Sequence, residues 1–355
     1  MVNVGLEIQM AEGEAANILL ISPTSVGIGG VAQHVSKLRE KLENRGYNVK
    51  VVSSSNTIIL KKKGLMNPSF TVSASFKTLL RKYDIIHAHN LPSSIPMRLS
   101  IGRKILTLHG FYSEQIKIIH GSTVGKIASW FEKRALRWPD VVTTVSKRDA
   151  EKYRQYGLEV VHIPNAVDLS DMPQSEKRLS NNPQVIYVGR LSREKGLEYL
   201  IKAIRILYEK RIYVDLVIVG DGPERDRIKY LADGLDNVHL LGALNHDETL
   251  KYIRGAEMLV IPSIVEGIST SILEAMALRT PVIATNVGGT TEIIQHMKNG
   301  ILIQPRKPEQ IADAITTILT DEQTRRHIIE EAYKTILHEY NWDTVINSYL
   351  RIYNL

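Results

Sequence analysis

Short apolar, β-branched runs alternate with longer amphipathic stretches along most of the chain. The run NILLISP (17–23) comes first, followed by a helical pattern at GGVAQHVSKLREKLENRG and a second strand at YNVKVVSS. YDIIHAHN, KILTLHG, DVVTTVS and EVVHIPN read as further short strands. A stretch rich in Pro, Ser and Asn then intervenes, MPQSEKRLSNNP (172–183). After it the rhythm restarts with QVIYVGR, a helix at GLEYLIKAIRILYEK, and strands VDLVIVGDG, NVHLLG, EMLVIPS and TPVIATN. Strands alternating with helices predict parallel βαβ units. The restart after the polar stretch predicts two such domains, residues 1–182 and 183–337, with a terminal helix over about 338–355 packing back on the first.

Composition narrows the class. The chain of 355 residues is long enough for two cores, and its 43% apolar and 23% charged residues are those of a globular protein. No apolar run approaches the roughly 20 residues that span a bilayer. The opening MVNVGLEIQMAEGEAA has neither a basic nor an apolar signal region, so it reads as a loose lead-in. Cysteine is absent, which removes disulfides, thiolate metal sites and a Cys nucleophile, and a cytoplasmic location is expected. The net charge of +7 is uneven: residues 1–183 carry 25 Lys+Arg against 15 Asp+Glu, a balance of +10, and residues 184–355 carry 20 against 23, a balance of −3. The first half therefore suits an anionic partner such as a membrane surface or a phosphorylated acceptor. Nucleic acid ranks last, because aromatics are 6% of the chain and no nucleic-acid motif is present.

Candidate chemistry gathers at strand ends. Gly27-Ile28-Gly29-Gly30-Val31-Ala32 matches the loose dinucleotide pattern between a strand and a helix. Its first Gly lies too far beyond the strand, however, and the next strand ends in serines and Asn where an acid should hold a ribose. A loop that lets backbone approach a phosphate or a sugar fits better than nicotinamide binding. In the second half, VGRLSREKG places Arg190 and Lys195 where a strand gives way to a helix. They are either solvated loop charges or a clamp for a diphosphate. In VEGISTSILEAMA (265–277), Glu266 and Glu274 stand eight positions apart around a Ser/Thr cluster. Ser271-x-x-Glu274 also fits a capping box, whereas Glu266 lies where parallel sheets place ligands.

Together these motifs resemble family 4 of the retaining, nucleotide-sugar-dependent glycosyltransferases. GIGGVAQHV, YDIIHAHN, LTLHG, VVTTVS, HIPNAVD, YVGRLSREKGLEYLIKA, IVGDGPER and EGISTSILEAMA occur in the family's order, from about Asn17 to the end. The resemblance implies the GT-B fold: two facing Rossmann-like α/β domains, each a parallel sheet with helices on both faces, and an active site in the cleft between them. It implies that Glu274 accepts hydrogen bonds from the nucleotide ribose. Glu266 would lie beside the transferred sugar, with the Gly267, Ile268, Ser269 and Thr270 segment holding the donor. Arg190 and Lys195 would grip the diphosphate, the Gly29–Gly30 loop would close over the phosphates, and His109 would lie near the anomeric centre. The implied reaction moves a hexose from a nucleotide-sugar substrate (UDP, GDP or ADP as base) to a hydroxyl acceptor. No separate cofactor and no metal are implied. Three departures stand out: Arg279-Thr280 before Pro281 where the family commonly has Gly, Ala166 where Gly is usual, and a short chain, which argues against processive polymer synthesis.

Other features weigh less. His87 and His89 share a side of one strand and, with His109, suggest a metal site, but no carboxylate–histidine spacing completes it. No Ser-His-Asp order stands out. Lys61-Lys62-Lys63 and the helix GKIASWFEKRALRW (125–138) suit either ordinary surface and core or the inner face of an anionic membrane. In that helix Ile127, Trp130, Phe131, Ala135 and Trp138 share one face. The alternatives to transfer are an epimerase or phosphorylase on the same fold and a non-catalytic membrane- or polysaccharide-binding module.

Overall fold

The computed structural model describes residues 15–24, 30–60, 62, 65–110 and 122–355. The chain forms two compact units, Met1–Asn165 with Val345–Leu355, and Ala166–Thr344.

Among its described residues the first unit has six parallel strands: β1 (Asn17–Ser22), β2 (Asn48–Ser53), β3 (Lys82–His89), β4 (Ile101–Leu108), β5 (Val141–Thr144) and β6 (Val160–His162). Their order is β2-β1-β3-β4-β5-β6. Ile18, Leu19, Leu20 and Ile21 are all fully buried. An unbroken apolar run of this kind is what a parallel strand covered on both faces requires. Helix α1 (Gly30–Glu43) buries Val35, Leu38 and Leu42 at helical spacing, and His34 beside them. Helix α2 (Met66–Thr78) buries Phe70, Ala74 and Thr78, and α3 (Ser94–Leu99) follows β3. In the helix Ser122–Ala135, Ala135 and Glu132 are buried, and Phe131 packs edge-on against Trp138 on the core. Trp130 points away from that core, 65% exposed. The face is thus divided: core packing claims Phe131, Ala135 and Trp138, and leaves Trp130 outside.

The second unit, again among described residues, has β7 (Gln184–Val188), β8 (Asp215–Val219), β9 (Val238–Gly242), β10 (Met258–Ile261), β11 (Val282–Thr285) and β12 (Ile301–Ile303). They run parallel in the order β12-β11-β10-β7-β8-β9. Counted within the unit this is 3-2-1-4-5-6 read from β9, or its mirror in the list, the order of doubly wound nucleotide-binding sheets. Sequence and structure place the boundary differently. Residues 166–182 pack with the second unit because Val167 enters its core and Leu169 and Met172 lie against it. The polar stretch that follows is bound there too. Arg178 Nη2 donates to Glu257 Oε1 at 2.6 Å, Lys177 N to the Lys251 carbonyl at 3.0 Å, and Asn182 Nδ2 to Asp215 Oδ1 at 3.3 Å.

The terminal helix also differs in its limits. One helix ends at Glu339, and a new one, Trp342–Tyr353, begins after Asn341, whose Oδ1 accepts from Thr344 N at 2.9 Å. From Val345 onward it belongs to the first unit, where Tyr349 and Tyr353 are fully buried.

Candidate active site

In an open parallel sheet, ligands bind outside the carboxyl ends of the strands where the winding reverses. In the second unit that point lies between the neighbours β7 and β10. Arg190 and Lys195 follow β7, and Glu266 follows β10. The two loops are laced together, since Ile264 N and Val265 N both donate to the Glu194 carbonyl, at 2.7 and 3.3 Å. Gly196, at φ +64°, closes the turn, and a Cβ there would collide with the Pro262 carbonyl oxygen. Gly288, at φ +50°, is constrained likewise, since a Cβ there would collide with the Glu266 carbonyl oxygen.

This lacing brings two of the predicted residues into direct contact. Lys195 Nζ donates to both carboxylate oxygens of Glu266 at 2.8 Å, and Ser263 Oγ donates to Glu266 Oε2 at 2.7 Å. Ser263 escaped the sequence reading; its place three residues before Glu266 is the only signal it gives. Arg190 is exposed and forms no ion pair among the described residues, and its carbonyl accepts from Tyr187 Oη at 3.0 Å. Burial pushes the Tyr187 phenol up, helped by the negative charges of Glu266 and Glu194. Tyr187 is therefore a fixed neutral donor beneath the loop.

The following helix begins at Thr270 with Ser269 as its N-cap. Ser271 lies inside the helix and its Oγ pairs with Ser269 Oγ at 2.9 Å, so the capping box suggested by Ser271-x-x-Glu274 does not form. Gly267 N, Ile268 N and Ser269 N have no backbone partner among the described residues. These are free donors beside a helix start, a setting that favours an anion or sugar hydroxyls. Glu274 is 6% exposed, and His246 Nδ1 lies 4.0 Å from its Oε1. Burial raises its pKa, against the opposing pull of His246. A buried carboxylate held this loosely is a ready acceptor for ligand hydroxyls. A cavity of about 420 Å³ opens on the other side of the β7 loop, lined by Arg193, Glu198, Glu224 and Arg227 among others. Its charges already satisfy one another, and none of Arg190, Lys195, Glu266 or Glu274 lines it.

In the first unit the winding reverses between β1 and β3. Gly30 opens α1 there; Gly29, Lys61 and Lys63 lie outside the described residues. His109 N donates to Asn90 Oδ1 at 3.0 Å, and His109 Nε2 lies 3.2 Å from His89 Nδ1. Asn90 takes φ +62° and ψ 162°, a costly conformation for a residue with a side chain, held here by Asn90 N donating to the Thr107 carbonyl. His87 and His89 stack with centroids 4.2 Å apart, and His34 stands edge-on to His109. His34 was not singled out from sequence, although a histidine within the buried stripe of α1 was a legible signal. Tyr353 Oη and Thr107 Oγ1 bond the two ring nitrogens of His87, each at 2.6 Å, and Tyr349 Oη meets His34 Nε2 at 3.1 Å. Burial lowers His109 to about 4 and His87 to about 3, and lowers His34 and His89 well below the usual value. All four are neutral at pH 7. His34, His89 and His109 offer ligand atoms within 4.8 Å of one another, the one group with metal-like spacing among the described residues. Among the described residues no carboxylate joins them.

Comparison with known proteins settles the class. A family profile described as "Glycosyltransferase Family 4" matches residues 28–171, and one described as "Glycosyl transferases group 1" matches residues 170–335. The chain belongs to the family 4 glycosyltransferases. This glycosyltransferase is 29% identical to an uncharacterized glycosyltransferase of Methanocaldococcus jannaschii, over 92% of this chain and 95% of that one. In fold it is similar to sucrose-phosphate synthase from Thermosynechococcus elongatus, at TM-score 0.80 and 22% identity over 96% and 98% of the two chains. It is also similar to Anabaena HepE solved with UDP and glucose, at TM-score 0.71 and 21% identity over 94% and 98%. The neighbours are GT-B enzymes, and the two parallel sheets described above are those of that fold. No helix among the described residues is long and apolar enough to cross a membrane.

Proposed function

We propose that this glycosyltransferase moves a hexose from a nucleoside diphospho-sugar to a hydroxyl acceptor, with retention at the anomeric carbon and without a metal ion. The Lys195–Glu266–Ser263 contact beside Arg190, at the reversal point of the second sheet, carries this reading. When the bond between C1 and the phosphate oxygen breaks, negative charge develops on the diphosphate, and Arg190 and Lys195 supply the positive charge that offsets it. The acceptor oxygen bonds to C1 on the face the phosphate leaves, and the acceptor proton passes to the departing phosphate oxygen. Glu266, already ordered by Lys195 and Ser263, orients sugar hydroxyls, and Glu274 takes the ribose hydroxyls. His109, neutral at pH 7, contributes as a hydrogen-bond partner and not as an acid. Support for a nucleotide donor comes from the UDP bound in the Anabaena relative in fold.

The test is a thermal-shift screen of UDP-, GDP- and ADP-sugars, followed by turnover of whichever stabilises the protein. Proton NMR of the product should show the anomeric configuration of the donor. An inverted product would refute retention, and turnover of donor alone into a second nucleotide-sugar would replace transfer by epimerisation.

A further inference from the structure

Helix α2 carries apolar residues on both faces. Phe70, Ala74 and Thr78 face the core. Val72 and Phe76, one turn apart on the opposite side, are 58% and 79% exposed. The loop before the helix lies alongside, because Ile58 N donates to Ser73 Oγ and Leu60 N to Ser69 Oγ, each at 2.9 Å. These bonds hold Ile58 and Leu60 against the helix, and both are exposed, at 82% and 56%. Leu80, just beyond the helix, is 72% exposed. Single exposed apolar side chains are ordinary, but a contiguous group marks an interaction surface.

Charge identifies what covers it. Residues 44–83 hold eight Lys and Arg and no Asp or Glu. Lys62, Lys77, Arg81 and Lys82 are exposed, and Lys77 Nζ donates to the Asn56 carbonyl along the same loop. A second copy of the chain would set two such cationic patches against each other. A water-facing apolar face on a helix of 13 residues, in a segment with exposed cations and no acid, matches the interface of an anionic lipid bilayer, where the rings and aliphatic chains enter below the headgroups.

We propose that α2 and the loop from Ile58 to Leu60 dock this glycosyltransferase on anionic lipid. The surface is distinct from the helix Ser122–Ala135, and it acts whether or not a sugar donor is bound. Vesicle binding needs neither donor nor acceptor, so its failure would leave the transferase reading untouched.

Flotation of the full chain with phosphatidylcholine vesicles and with mixed phosphatidylcholine–phosphatidylglycerol vesicles tests it. Binding to the mixed vesicles should exceed that to neutral ones by at least about ten-fold and fall steeply between about 50 mM and 500 mM salt. The Val72→Ser/Phe76→Ser variant should lose roughly ten-fold in vesicle binding with unchanged circular dichroism. The chain has no cysteine, so Phe76→Cys can carry a single environment-sensitive fluorophore, with Tyr230→Cys, at an exposed site of the second unit, as the control. The label at 76 should shift to the blue on anionic vesicles, and the label at 230 should not. Absent or salt-insensitive binding, an unshifted label at 76, or equal shifts at both positions would overturn the proposal. So would a dimer in light scattering that the Val72→Ser/Phe76→Ser variant dissolves, because the occupant would then be a second copy.

Discussion

Separating Lys195 from Glu266 should be asymmetric in cost. At 2.8 Å to each oxygen and an effective dielectric of about 20, their gross attraction is about 6 kcal/mol, most of which desolvation cancels. What remains depends on which partner goes. The Glu266 side chain is 8% exposed and that of Lys195 is 24% exposed. Lys195→Met strands a carboxylate that keeps only the Ser263 hydroxyl, an expected loss of about 2–3 kcal/mol. Glu266→Gln leaves an ammonium that can turn toward water, an expected loss of about 1 kcal/mol. The double variant should therefore be more stable than the sum of the singles by roughly 1 kcal/mol or more. Hydrogen exchange of the β7 and β10 amides in the full chain reads this directly, because such central strands open only with the whole unit. If the double variant is additive to within about 0.5 kcal/mol, or if both singles cost the same, the pair does not exist as described.

Glu274→Gln should stabilise the ligand-free protein at pH 7 by on the order of 1 kcal/mol, since it removes a buried charge whose pKa is raised. The same change should weaken nucleotide binding more than it lowers turnover at saturation, which calorimetric titration and kcat would separate; unchanged nucleotide affinity would refute the ribose assignment. The buried histidines have folded pKa values below the ordinary value of about 6.5, so the unfolded chain binds more protons than the folded one from there down to about 4 for His109. Their contribution is present above that upper limit and is lost as pH falls through the window, by up to about 1.4 kcal/mol per pH unit for each histidine. His87→Gln should flatten the dependence of melting temperature on pH, and an unchanged slope would contradict it. Transfer should persist in EDTA; a loss restored by a divalent ion would refute metal independence and direct attention to His34, His89 and His109. Arg190→Ala should weaken binding of the free nucleoside diphosphate about ten-fold or more, in line with one lost charge-assisted contact, with no change in melting temperature because the side chain is exposed and unpaired among the described residues.

The residues that carry the candidate chemistry were legible because they are polar types at the ends of apolar runs. Arg190, Lys195 and Glu266 needed only the strand endings and the motif order to be found. Their mutual geometry was not, since Lys195 and Glu266 are 71 positions apart and meet only through the adjacency of β7 and β10. Ser271 and Glu274 satisfied a capping pattern that the helix ignores by starting one residue after Ser269. Local pattern matching cannot see which serine the preceding loop delivers to the cap. The boundary moved from 182 to 165 for a similar reason. Pro, Ser and Asn report exposure, not the unit to which an exposed segment is tied, and Val167 decides that by entering the second core. Helix α2 was missed because apolar residues on two faces blur the periodicity that marks a helix.

The last helix has a consequence for the order in which this protein is made. Tyr353 caps the hydrogen bonds of His87 across 266 positions, and Tyr349 and Tyr353 are wholly enclosed in the unit whose sheet is translated first. At about 5–20 residues per second, some ten to forty seconds separate synthesis of Asn165 from synthesis of the final residues. Throughout that interval His34 and His87 lack their tyrosine partners and the first sheet waits with one wall open, while all the strands of the second sheet are completed. Of these two units, the one whose sheet is made first is thus completed second, and a nascent chain stopped before Val345 would hold the second core whole and the first unfinished.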